Sequence, residues 1–262
     1  MNDFETLNVE RDERNVLYVR MNRPDKRNAL SAQMIAELTI LAQNTGSDPD
    51  IRAVVLSGEG NVFCAGGDLG WMMDQIKADR ETRMHEARKL AEMLNALNVM
   101  PKPLIGRIHG GAFGGGIGMV CVCDVAITDA ATKFGLTETR LGLIPATIGP
   151  YVLARLGEGM ARRVFMSARI FKADEAVALG VVAASVNADE LDAAVEAQVK
   201  PYLSVAPGAV GAAKNLARAL GPRIDDRVID DTIRRLADTW ETEEAAEGID
   251  AFLEKRNARW VN

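Results

Sequence analysis

Residues 109–124 read HGGAFGGGIGMVCVCD, with six glycines in the nine positions from Gly110 to Gly118. Glycine weakens the interior of any regular element, so such density has to serve a close approach of backbone to something else. The stretch runs from an apolar strand-like segment, LIGRIHG, toward a second one, CDVAITD. A phosphate-cradling loop is the first reading to test. No G-x-G-x-x-G can be threaded through 109–124, and no Lys-Ser/Thr follows the glycines. A second reading is structural, small residues letting a helix pack tightly on the sheet, which would account for Gly111 or Gly116 but not for six glycines. The third is a helix N-terminus whose N–H groups and dipole stabilise negative charge developing on a carbonyl oxygen. Such an oxyanion site needs a second donor, usually from another loop. The segment NVFCAGGDLGWM, residues 61–72, has the same plan: a strand region, small residues, then a helix near Asp68, which suits a first turn.

The surrounding pattern alternates strand and helix. NVLYVRMN carries period two. SAQMIAELTILAQNTGSD has helical spacing after Ser31, a candidate N-cap. IRAVVLSG is a nearly unbroken apolar run, as a strand buried on both faces requires. A helix is expected from about Ala78 to Leu97, ended by Pro101 and Pro103. The glycine run is expected to open a helix directly. From about Gly157 onward the pattern turns helical, to about Arg256. These features predict an α/β core over residues 1–190 and a helical region over 191–262, packed on that core or on a neighbouring subunit.

The 262 residues carry a net charge of −6 and no block of basic residues, against broad binding to nucleic acid or anionic lipid. No apolar run approaches membrane-spanning length, so a soluble, cytoplasmic protein is expected. Three cysteines, Cys64, Cys121 and Cys123, form no C-x-x-C pair. His85 and His109 are the only histidines. No metal site is expected from this set.

Ordered motifs along nearly the whole chain resemble the enoyl-CoA hydratase/isomerase (crotonase) family: MNRPDKRNAL (21–30), FCAGGDL (63–69), HGGAFGGGIGMVCVCDVAI, KFGLTETRLGLIPATIGPYVLARLG (133–157), KADEAVALGVV (172–182) and FLEKR (252–256). The resemblance implies a spiral of ββα units with a helical C-terminal trimerisation region. It implies a trimer or dimer of trimers acting on a coenzyme A thioester, with coenzyme A as part of the substrate and no other cofactor. Carried over by motif, the oxyanion donors would be the N–H groups of Gly67 and Gly115. Arg23, Lys26 and Arg27 would meet the coenzyme A phosphates and adenine. Ala65 and Leu69 would line the pantetheine and acyl path, with Gly66 and Asp68 among the residues that bind the substrate's coenzyme A. Phe252 and Lys255 would reach a neighbour's nucleotide.

Hydratases of the family typically carry two glutamates. The second is present as Glu138; the first falls on Gly118. One carboxylate can activate water for attack at C3 and return the proton to C2, and burial would raise its pKa into a useful range. A lone glutamate also suits a Δ3,Δ2-enoyl-CoA isomerase. The run PATIGPYV resembles bacterial methylglutaconyl-CoA hydratases of leucine breakdown, which favours hydration of a branched or 3-methylglutaconyl thioester. A distal carboxylate would need a cation, with Lys77, Arg80, Arg83 and Arg88 as candidates. A binding protein that kept the fold without catalysis is a third reading, disfavoured by the intact oxyanion motifs.

Overall fold

A computed structural model describes residues 4–261. The first hairpin pairs β1 (Leu7–Arg11) antiparallel with β2 (Val16–Met21), Leu7 opposite Met21. Helix α1 (Ala32–Ser47) starts where expected, the Ser31 hydroxyl accepting from Met34 N at 3.3 Å. It returns the chain to β3 (Ala53–Gly58), parallel to β2. Helices α2 (Leu69–Lys77) and α3 (Arg80–Val99) follow, and Pro101 and Pro103 separate α3 from β4 (Leu104–Ile108). Next come β5 (Gly111–Phe113), α4 (Gly115–Val122), β6 (Val125–Asp129) and β7 (Lys133–Gly135). The chain continues through α5 (Gly149–Phe165), β8 (Ile170–Lys172), α6 (Ala173–Leu179) and β9 (Ala184–Val186). It ends in α7 (Leu191–Val199), α8 (Pro207–Leu220), α9 (Asp226–Trp240) and α10 (Glu243–Glu254).

The large sheet has the order β1-β2-β3-β4-β6-β9, all parallel after the first hairpin; a smaller sheet has the order β5-β7-β8. The repeating unit is a strand of the large sheet, a strand of the small one and a helix, as in β4-β5-α4 and β6-β7-α5. The small-sheet strand in the glycine run was not anticipated. Gly111–Phe113 pair with β7, and Ala112 bridges Cys64, so the chain turns once more before α4 begins.

Alternation along the strands explains the apolar runs. Val54, Leu56 and Leu104 face the main core under α1, α3, α4 and α5. Val16, Ala53, Val55, Ile105 and Ile127 face Leu191, Val195 and Val199 of α7, which closes the other side of the sheet.

The last helices fold back on their own chain. Ile229 and Ile233 of α9 pack on Ala87 and Ala91 of α3. Helix α10 sits on the turn after β7, where a Cβ at Gly248 would lie 2.5 Å from the Leu141 carbonyl carbon. Helix α8 buries none of its residues, and Leu216 and Leu220 are exposed. Among the described residues no helix is long and apolar enough to cross a membrane.

Candidate active site

The two glycine-rich junctions meet through their backbones. Phe63 N donates to His109 O at 2.9 Å, Cys64 N to Gly111 O at 3.1 Å, and Phe113 N to Cys64 O at 3.0 Å. Side chains are excluded from this seam. A Cβ at Gly110 would overlap the Asn61 carbonyl oxygen, and one at Gly116 would lie 2.7 Å from Cys64 O. Gly114, which precedes α4, holds a φ of +47° that any other residue would adopt only under strain.

The turn after β2 supports the first junction from behind. Leu30 N donates to Gly66 O at 2.8 Å, Asp68 N to Leu30 O at 3.0 Å, and Ala65 N to Arg27 O at 3.0 Å. Asn28 is fully buried, and its Nδ2 donates to Glu59 O and Val62 O, both at 2.8 Å. Asp68 caps α2 by accepting from Gly70 N at 2.8 Å and Trp71 N at 3.2 Å. Arg23 reaches Asp68 at 2.9 Å and also donates to Ala29 O. Burial pushes the Asp68 carboxyl up, but Arg23 and the two N–H groups outweigh it and hold the group below the usual carboxylate range.

This scaffold leaves the N–H groups of Gly67 and Gly115 free. Among the described residues neither Gly67 N nor Gly115 N donates to a protein acceptor. Gly115 is the first residue of α4, where intrahelical partners are lacking and the dipole is positive. Gly67 and Gly115 line one cavity of about 140 Å³ together with Glu138.

Glu138 opens a 3₁₀ turn, Glu138–Leu141, ended by Gly142 with φ +69°. Its Oε2 is buried and has no hydrogen-bond partner among the described residues. Burial pushes the carboxyl up to about 7, against a smaller opposing pull from backbone N–H groups at Thr137 and Glu138. A carboxyl so placed can exchange a proton near neutrality.

The rest of the cavity is largely apolar. Trp71 and Met72 come from α2, Leu143 to Ile148 from the segment after the turn, and Leu236 and Trp240 from α9. Opposite Gly118 stands Ile148. A Cβ at residue 118 would lie 2.6 Å from Ile148 Cγ2 and 3.0 Å from its Cβ. The place where relatives are expected to carry a second acid is thus filled by hydrocarbon.

The expected residues separate into groups. Glu138, Gly67 and Gly115 come together in the cavity. Gly66 is buried in the seam beside half-buried Ala65, while Leu69 is exposed. Arg23 is tied to Asp68, and Lys26 and Arg27 are exposed on the supporting turn. Phe252 and Lys255 are exposed on α10 and its C-cap, away from the cavity lining of this chain.

None of the four candidate cations lines the cavity. Arg80 pairs with Asp238 and Glu241, and Arg88 with Asp230, all on or just after α9. Arg83 donates to Gln75 O and Ile76 O and lies 5.3 Å over the Trp240 ring. Lys77 is exposed. The chain itself thereby clamps α9 over its own cavity. Trp71, Trp240, Leu236 and Ile148 were missed from sequence, since apolar residues on or beside helices read as core. Asn28 had a usable signal, a short amide in a tight turn, where it and Arg27 both hold a left-handed φ.

A double-sheet ββα architecture carrying two free glycine N–H groups beside a buried carboxylate defines an enzyme of the crotonase class. Residues 11–262 match the family described as enoyl-CoA hydratase/isomerase, and the chain belongs to it. The chain is 31% identical over 263 residues to the crotonyl-CoA hydratase of Syntrophomonas wolfei, with 99% of each chain covered. A crystal structure of an enoyl-CoA hydratase from Mycobacterium avium superposes with a TM-score of 0.88 at 30% identity, covering 99% of this chain and 100% of that one. An enoyl-CoA hydratase from Shewanella pealeana gives a TM-score of 0.81 at 35% identity, covering 98% and 97%.

Proposed function

We propose that the protein adds water across the C2=C3 bond of a 2-enoyl-CoA thioester whose acyl group is uncharged and short or branched. The observation that carries this reading is the meeting of Gly67, Gly115 and Glu138, whose Oε2 has no partner among the described residues, in one largely apolar cavity. The thioester oxygen accepts from the two glycine N–H groups, which stabilise it most when it becomes an enolate oxygen. Glu138 takes a proton from water as the water oxygen attacks C3, then returns that proton to C2. The exposed Lys26 and Arg27 meet the coenzyme A phosphates, while Arg23 holds the supporting turn on Asp68. The hydratase names of similar proteins support hydration over other chemistry.

A 3-methylglutaconyl group fits this cavity less well than a plain branched one. Its distal carboxylate would be desolvated with no Lys or Arg in the lining, a cost that only pairing can offset. Isomerisation of a 3-enoyl-CoA is the second reading, favoured by one observation: hydrocarbon at Gly118 leaves a single proton carrier, which is all that a C2-to-C4 shuttle needs. We also propose that the chain works as a homo-oligomer through α8, whose apolar residues are uncovered.

A panel of but-2-enoyl, branched 2-enoyl, 3-methylglutaconyl and 3-enoyl thioesters, read by mass spectrometry and product identification, tests these readings. Gain of water on the uncharged 2-enoyl substrates is expected. Inertness toward every 2-enoyl thioester, with conversion of the 3-enoyl one, would replace hydration by isomerisation.

A further inference from the structure

With Ile148 closing the space beside Gly118, the attacking water has lost one customary holder, and the lining offers few replacements. Apart from Glu138, three lining side chains carry a polar atom: Trp71, Trp240 and Thr147. The Trp71 indole N–H donates to Glu86 at 3.3 Å. An indole N–H can only donate, whereas a water poised to attack C3 through its lone pair needs acceptors for both hydrogens. A threonine hydroxyl can accept.

Thr147 as a residue is 5% exposed, it lines the cavity, and its hydroxyl is not tied to a protein partner among the described residues. The hydroxyl oxygen is not one of the enclosed, unpartnered polar atoms among the described residues, so it is open to a bound water, and valine would supply the same packing without it. Thr147 sits between Ala146 and Ile148, which line the same cavity. The segment that excludes a side chain at 118 is therefore the segment that brings in a hydroxyl.

We propose that Thr147 holds the attacking water together with Glu138. This deepens the hydratase reading above and rests on it. The water oxygen forms the bond to C3 while one of its protons passes to Glu138. The C2=C3 electron pair moves into the enolate facing Gly67 and Gly115, and Glu138 returns the proton to C2. The other water hydrogen points to the Thr147 oxygen throughout and remains on the product's 3-hydroxyl. Thr147 gains and loses nothing in the cycle.

The full-length enzyme, Thr147→Val and Thr147→Ser are compared in two assays. One follows hydration of but-2-enoyl-CoA; the other follows exchange of the C2 protons of butanoyl-CoA with deuterium, which needs Glu138 and the donors but no attacking water. Valine should lower hydration kcat about tenfold with KM and C2 exchange within about twofold of the parent, and serine should restore most of the loss. Hydration by the valine variant at the parent rate overturns the assignment. So does a parallel fall in hydration and exchange, which marks a structural role. A parent enzyme that exchanges C2 protons but hydrates nothing sinks the hydratase reading, and Thr147's role with it.

Discussion

On one side of the cavity, residues 61–67 and 110–116 meet backbone to backbone, through carbonyl and N–H groups spaced so closely that side chains do not fit. On the other side, Glu138, the 143–148 segment and α9 meet through side chains. The first wall sets where negative charge is stabilised. The second sets which proton moves and what acyl group fits. Backbone donors cannot be exchanged one by one, so the first wall is rigid in sequence as well as in space. The second can be altered residue by residue while the donors stay in place.

The sharpest separation of the two walls comes from Glu138→Gln. It should lower hydration kcat by roughly a thousandfold while leaving thioester binding nearly intact, because the amide cannot carry the proton and the donors are untouched. Steady-state kinetics with a binding measurement reads both. A small loss would mean the second wall holds another proton carrier.

The same substitution should stabilise the substrate-free protein at alkaline pH. Burial raises the folded-state pKa of Glu138 to about 7 from 4.5, so the folded chain binds this proton more tightly than the unfolded one. The contribution is complete below about pH 4.5 and is lost as pH rises through about 7, by up to about 3 kcal/mol. Thermal midpoints of parent and Glu138→Gln should therefore converge near pH 4.5 and separate at pH 8, the variant higher. Equal separation at both pH values would refute the assignment of the shift to the carboxyl.

Gly116→Ala tests the first wall. A Cβ there would meet Cys64 O at 2.7 Å, which should cost about 1–3 kcal/mol in denaturant unfolding and displace the Gly115 donor, lowering kcat as well. Loss of stability with full activity would show that the seam does not govern the donors. Smallest in expected effect is a cycle on the second wall. Gly118→Ala alone should destabilise through contact with Ile148, and Ile148→Ala should relieve part of it, with a coupling of about 1 kcal/mol. Additive changes would place the contact elsewhere.

What could be read in advance follows the same division. The first wall depends on glycines at particular positions, and glycine clusters, the Ser31 cap and the alternating strands are visible locally. Gly67 and Gly115 stood out on that ground and Glu138 through the family's motif, and the three line one cavity. The added strand Gly111–Phe113 was not, because its partners lie at Lys133–Gly135 and Cys64. Trp240 and Leu236 were hidden for a related reason. They lie about a hundred residues beyond Glu138, on a helix whose apolar stripe serves both α3 and the cavity. The cations on α2 and α3 looked like candidates for a ligand carboxylate, but Arg80 and Arg88 are paired with acids from the C-terminal helices. Pairing across such sequence distance leaves no local trace.

Because α9 supplies the closing side of the cavity, the order of synthesis matters to this enzyme. Strands β2, β3, β4 and β6, both donor junctions and Glu138 all emerge from the ribosome before residue 226. Without α9 docked on Ala87 and Ala91, the donor pair would stand above an open trough of aliphatic and aromatic surface. Exposed apolar surface of that kind favours unwanted association, so the last helices protect the chain as well as shape its cavity.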